Sequence, residues 1–112
     1  MNAAVTDEII RLLAPFYNEG QVPCAGALPL HIARDPGALD VRLTGKGPTA
    51  YCVVFPEARF VEMILQSGMP PTATLIRVWL STVYFNPHIY AWAHRMALSE
   101  ITASHRDAAV AR

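Results

Sequence analysis

Charged side chains are scarce in this chain of 112 residues, and their scarcity limits the functions that the protein can have. Asp, Glu, Lys and Arg make up 16% of the residues, whereas they make up about 25% of an average soluble domain. Nine basic residues balance nine acidic ones, so the formal net charge is zero. The chain therefore lacks the strongly basic character that is the usual mark of nucleic-acid binding, and we expect no nucleic-acid partner.

Cysteines and long apolar runs are also few. Cys24 and Cys52 are the only cysteines, so the sequence indicates no disulfide framework, and a reducing cytoplasm is the expected compartment. The longest stretches without a charged residue, 63–76 and 78–94, contain prolines and are shorter than the roughly 20 residues of a membrane-spanning helix. The first ten residues lack the basic and apolar regions of a signal peptide. We therefore expect a cytoplasmic protein with no membrane partner.

Residues that could bind a metal or carry catalysis show no spacing typical of such a site. No CxxC, HxxxH or HExxH pattern connects the candidate ligands, which are His31, His88, His94, His105, Cys24 and Cys52. Cys24 lies in a proline- and glycine-containing loop and is close in sequence to His31. A reactive thiol at Cys24 is therefore one interpretation, and an unreactive cysteine is the simpler one. The sequence predicts no metal, no cofactor and no catalytic residue, and it does not favour an enzyme.

Apolar residues are abundant and make up 53% of the chain. A small domain has a large surface for its volume, and this chain has few charges with which to cover that surface. Exposed apolar patches tend to mark interfaces. Eight of the nine basic residues are Arg, which interfaces favour over Lys, although a GC-rich genome would also enrich Arg. We therefore expect part of the surface to contact another protein.

Hydrophobic periodicity and capping residues predict a single α+β domain over residues 1–112, in the order α-β-β-β-α-β-α. Its sheet is expected to be mostly antiparallel, with three or four strands and three helices around it. The first helix should begin after Thr6, and Pro15 should end or kink it near Ala14. A short strand is possible at 28–32, where Pro29 would confine it to a sheet edge.

The middle of the chain predicts a hairpin and a second helix. Residues 39–44 alternate between apolar and polar, which is typical of a half-buried strand. Residues 49–55 are β-branched, aromatic and nearly all apolar, which suggests a central strand. Pro56 is suited to the first position of the second helix, and Gly68 is a natural residue to end it.

Residues 72–85 are ambiguous between strand and helix. Their richness in Thr, Val, Ile, Trp, Tyr and Phe favours a strand, although Ile76, Trp79, Leu80 and Val83 would also form one side of a helix. The last helix is predicted to begin at Asn86 as its N-cap. The tail from 104 to 112 is expected to fray.

Two interpretations of function follow from these elements. The first is a small protein-interaction or inhibitory module that associates with itself, as a dimer, or with another protein. Its contact surface would be built by the last strand and helix, from Arg77, Trp79, Tyr84, His88, Trp92 and Arg95. The alternative is a small-molecule-binding protein or minor enzyme with an apolar pocket between sheet and helices. Its polar groups would come from Tyr51, Tyr90, Trp92 and His94.

Overall fold

The computed structural model describes residues 3–24, 28–86 and 88. These residues form three helices and a four-stranded antiparallel sheet, which confirms the predicted α+β class. Their order along the chain is α-β-β-β-β-α-α, so one predicted strand is wrong and one unpredicted strand is present. The elements are α1 (Ala3–Glu19), β1 (Gln21–Val22), β2 (Leu30–Asp35), β3 (Asp40–Thr44), β4 (Cys52–Pro56), α2 (Glu57–Ser67) and α3 (Ala73–Phe85).

Helix α1 begins three residues before the predicted cap and continues past Pro15. Proline removes one N–H and leaves the carbonyl four residues earlier, that of Arg11, without its helical donor. Pro15 and Arg11 both lie on the exposed side of the helix, where water can hydrate that carbonyl. The predicted end near Ala14 is therefore wrong. The helix stops at Gly20, whose φ of 72° is favourable for glycine.

The sheet has the strand order β1-β2-β3-β4, so β2 lies inside it. The prediction that this strand would be confined to an edge is wrong because β2 begins at Leu30, one residue after Pro29. Proline therefore does not interrupt either ladder. The two-residue strand β1, which the sequence did not predict, pairs with the start of β2 and forms one edge.

The predicted hairpin is confirmed as β3 and β4, which pair in antiparallel register from Asp40–Pro56 to Thr44–Cys52. The prediction that its second strand is central is wrong, because β4 forms the other edge of the sheet. Its apolar composition still has a local cause. Val53 and Phe55 face the core, and Cys52 and Val54 are half-buried on the opposite face.

Helix α2 follows β4 directly and ends where the sequence predicts. The predicted start is wrong by one position, because Pro56 ends β4 and is the N-cap residue of the helix. Gly68 adopts a left-handed conformation with φ of 71°, and its N–H donates to the carbonyl of Leu65. This is the glycine-ended helix terminus that the sequence indicates.

Residues 73–85 form helix α3, so the prediction of a strand over 72–85 is wrong. The hydroxyl of Thr72 caps the helix by accepting from the N–H of Leu75 at 3.1 Å, and such a cap is worth about 1 kcal/mol. Asn86 is the C-cap residue of α3, and His88, two residues further on, is helical. The rest of the predicted last helix, apart from His88, and the tail from 104 lie outside the described residues.

The core lies between the three helices and one face of the sheet. α1 packs on β1 and β2, α2 packs on β4, and α3 packs on β1 and on α1. The other face of the sheet exposes His31 and Arg42, and this polarity is usual for an antiparallel sheet. The buried sheet residues are Val22, Leu30, Ile32, Val41, Leu43, Val53 and Phe55.

Candidate protein-binding surface on helix α3

Helix α3 is apolar on the side that meets the core and almost uncharged on the other side. Ile76, Leu80, Val83 and Tyr84 are buried. Steps of 100° per residue place Thr74, Val78 and Phe85 on the opposite side, and all three are exposed. We call these three residues the α3 outer face. Val78 is 48% exposed and Phe85 is 52% exposed.

The α3 outer face differs from the ordinary solvent side of a helix. Arg77 is the one charged residue in the 13 residues of α3, and it lies half-buried at the flank. The neighbouring helix α2 carries Arg59, Glu62 and Gln66 on its outward side. A helix side without charged residues is normally buried against another element. In the described part of the chain, however, the α3 outer face stays exposed.

Of the six residues that the sequence groups into one contact surface, the structure describes four, and these differ in exposure. Trp79 is half-buried and packs against the core, and its indole N–H is buried without an acceptor among the described residues. Tyr84 is only 4% exposed. His88 is exposed, whereas Trp92 and Arg95 lie outside the described residues. Val78 and Phe85 were not singled out because a strand would have placed them on opposite sides of the sheet.

Tyr51, the first residue of the alternative pocket, lies beside Tyr84 at the end of α3. Their rings stack with centroids 4.6 Å apart. The Tyr51 hydroxyl donates to the backbone carbonyl of Tyr84 at 2.5 Å, and the Tyr84 hydroxyl accepts from the N–H of Tyr51 at 3.3 Å. Burial, and then the neighbouring Tyr84, raises the pKa of Tyr51.

A cleft of 370 Å³ borders this pair of tyrosines. Its wall includes Lys46 and two exposed apolar side chains, Leu28 and Phe85. The apolar surface of the α3 outer face therefore continues past the end of the helix. Tyr90, Trp92 and His94, the other residues of the alternative pocket, lie outside the described residues.

A buried carboxylate, which the sequence analysis did not identify, lies at the start of α2. Glu57 is 5% exposed. One of its oxygens accepts from Arg34 Nη2 at 3.1 Å, and the other accepts from the Tyr17 hydroxyl at 3.1 Å and lies 3.0 Å from Arg34 Nε. One feature of the sequence points to this network. Alternation along β2 places Arg34 on the same inward face as Ile32, so a charged side chain lies on the core side of the sheet. Because both of its carboxylate oxygens are paired within the fold, Glu57 has a structural role.

This network predicts that the protein loses stability at alkaline pH. Burial raises the pKa of Tyr17, and the charge of Glu57 adds to the effect. The folded chain therefore holds this proton more tightly than the unfolded chain does. The resulting stabilisation is complete below the ordinary tyrosine pKa of about 10 and is lost as pH rises through the higher folded pKa.

The test is Tyr17→Phe, with urea unfolding measured between about pH 9 and pH 11. We expect the free energy of unfolding of the wild type to fall more steeply with pH than that of the variant. Some slope should persist in the variant, because the pKa of Tyr51 is also raised. Equal slopes in the two proteins would contradict the assignment.

The structure also shows the surroundings of Cys24, whose reactivity the sequence does not decide. Cys24 Sγ lies 3.2 Å from the Ser81 hydroxyl and 3.5 Å from the carbonyl of Val22. These contacts are those of a half-buried structural thiol. Among residues 3–24, 28–86 and 88, no three His, Cys, Asp or Glu side chains are grouped so that they could hold a metal ion.

Comparison with known proteins finds no match to any family model, any curated protein or any solved structure. Within the described part of the chain, every helix is too short or too polar to span a membrane.

Proposed function

We propose that this chain is a protein-interaction module that binds a partner protein through the α3 outer face. The proposal rests on one observation: the exposed side of α3 carries no charged residue. On that side Val78 and Phe85 are each about half exposed. Exposed apolar surface of this kind tends to mark an interface. Arg77 at the flank adds a cation with several donors, and interfaces favour this residue type at their rims and anchors.

The chemistry of the surface indicates the kind of partner. An uncharged helix side that presents residues at positions 74, 78 and 85 suits the apolar side of an amphipathic helix, which places its own anchors three to four residues apart. An acidic residue beside those anchors would pair with Arg77, which has no acid on its own helix. We expect the partner segment to be an amphipathic helix with an acidic flank.

The alternative, a small-molecule pocket at Tyr51, has less support. Its hydroxyl already donates to the backbone of Tyr84, so a ligand would have to displace an internal hydrogen bond to use it. The adjoining cleft opens beside exposed Leu28 and Phe85. This arrangement extends the apolar surface more readily than it encloses a ligand.

A displayed library of 16-residue peptides, selected on the full chain, tests the proposal. Each recovered peptide is then tested on Val78→Glu, which places a carboxylate in the α3 outer face. Gln66→Glu adds the same charge at an exposed position of α2 and is the matched control. We expect the recovered peptides to carry apolar residues at helical spacing and to bind wild type and Gln66→Glu. Recovery of no binders, or of peptides that also bind Val78→Glu, would contradict the proposal.

A further inference from the structure

Strand β4 has the composition of an interior strand, yet it lies at the edge of the sheet. Residues 50–56 contain no charged side chain. Edge strands of soluble proteins are usually shortened, charged, bulged or covered, because their unpaired backbone groups would otherwise bind another strand. The opposite edge, β1, is protected by its length of two residues. β4 has five residues and no such charge.

The hairpin register shows which backbone groups of β4 point away from β3. The N–H of Gly45 donates to the carbonyl of Tyr51 at 3.3 Å. Because bonded positions recur at every second residue of an antiparallel ladder, Val53 also bonds to β3. Cys52 and Val54 fall between the bonded positions. Their N–H and C=O groups point outward and have no partner among the described residues.

These outward groups are complementary to a second copy of themselves. If two β4 strands meet antiparallel with Cys52 opposite Val54, each N–H faces a C=O and four hydrogen bonds form across the edge. The pairing ends at Pro56, which has no N–H to donate. No like charges oppose each other, since the strand has none.

We propose that two copies of this chain pair through β4, antiparallel, with Cys52 of each copy opposite Val54 of the other. The sheet then continues through both copies, and β4 gains the interior position that its composition indicates. The inference goes beyond the proposed function and names a second copy as a partner. α3 packs on β1, at the other edge of the sheet. We therefore expect the dimer to leave Val78 available, whereas Phe85 lines the cleft with Ala50 and Tyr51, next to the start of β4.

Disulfide trapping tests the pairing directly. The variant is Val54→Cys in a Cys24→Ala chain that keeps Cys52. Directly opposed bonded residues have Cα atoms about 5.5 Å apart, which lies within the range for a disulfide. We expect a glutathione redox buffer to convert the variant to a covalent dimer on a non-reducing gel. Cys24→Ala alone should stay uncrosslinked, because its two Cys52 residues are offset along the strands.

The matched control is Arg42→Cys in the same Cys24→Ala chain. Arg42 is the cross-strand neighbour of Val54 and is more exposed on the same side of the sheet. It lies on β3, however, about 10 Å from Cys52 of the second copy if the strands pair as proposed. We expect its crosslinking to be at least about tenfold slower, because only paired edges hold the thiols at high effective concentration. Equal rates for the two variants would overturn the proposal.

A second variant keeps the test independent of oxidation. Val54→Lys adds a charge of the kind that protects natural edge strands, and Ala33→Lys adds the same charge to interior strand β2. Light scattering over a concentration series should show the wild type and Ala33→Lys approaching twice 12.3 kDa. Val54→Lys should need at least about tenfold more protein to dimerise. A wild type that stays at 12.3 kDa, or a Val54→Lys protein that dimerises equally well, would overturn the proposal.

Failure of this pairing can be distinguished from failure of the proposed function. Peptide capture by the α3 outer face does not require β4, and crosslinking through Val54→Cys does not require a peptide. A monomer that still captures peptides would contradict the proposed dimer alone. A crosslinked dimer that captures no peptide would contradict the proposed binding surface alone.

Discussion

Replacing Arg34 by methionine is expected to lower the free energy of unfolding by about 3 kcal/mol at neutral pH. Methionine keeps most of the apolar stem but removes the guanidinium, so the carboxylate of Glu57 stays buried without a cation. Its side chain is 7% exposed, and only the Tyr17 hydroxyl would still donate to it. Urea or thermal unfolding measures the loss.

The chain contains a matched control for this prediction. Arg59 pairs with Glu62 at 3.9 Å, and both arginine side chains are 37% exposed. The glutamates differ, since the side chain of Glu62 is 50% exposed. Arg59→Met should therefore cost at most about 0.5 kcal/mol, as is usual for an exposed pair. The double variant Arg34→Met with Glu57→Leu should regain part of the lost stability, because no unpaired buried charge then remains. Equal losses for Arg34→Met and Arg59→Met would contradict the account.

Replacing Gly45 by alanine is expected to cost about 2 to 3 kcal/mol through overpacking. A Cβ at this position would lie 2.0 Å from the hydroxyl oxygen of Tyr84 and 2.8 Å from its ring carbon Cζ. Tyr84 has little room to move, because its ring is buried and stacks on Tyr51. The added methyl group should therefore force apart the contact between α3 and the β3–β4 hairpin.

Two comparisons isolate the steric cause. Gly37→Ala places a Cβ no closer than 3.7 Å to the nearest atom, Asp35 Oδ1. It should leave stability unchanged or raise it by a few tenths of a kcal/mol, since alanine restricts the unfolded chain. Adding Tyr84→Phe to Gly45→Ala removes the oxygen that clashes and should restore about 1 kcal/mol. A Gly45→Ala protein as stable as Gly37→Ala would contradict the packing seen at Tyr84.

The parts of the fold that the sequence predicts are those fixed by local signals. Residues close in sequence are enough to predict the alternation over β3, the turn after it and the end of α2 at Gly68. The β-branched and aromatic residues of 72–85 favour a strand, and the prediction that rests on them is wrong. The Thr72 cap, the two prolines before it and burial of Ile76 and Leu80 favour a helix instead. Tertiary packing overrode propensity here.

The contact surface predicted from the sequence rests on the same error. As a strand, residues 72–85 would place Arg77, Trp79 and Phe85 on one face. As a helix, they place Phe85 on the same side as Val78, two turns further on. The position of β4 was equally beyond local signals, since a strand's composition does not say which neighbours it has. The Glu57 network joins residues 17, 34 and 57, and only the fold brings such distant positions together.

The measurement that tests the central claim most directly is calorimetric titration of one selected peptide into the wild type, Val78→Glu and Gln66→Glu. The account predicts one peptide per chain and equal affinity for the wild type and Gln66→Glu. For Val78→Glu it predicts a dissociation constant at least about tenfold higher, which corresponds to about 1.4 kcal/mol. Equal affinity for Val78→Glu and the wild type would show that the peptide binds elsewhere and would contradict the account.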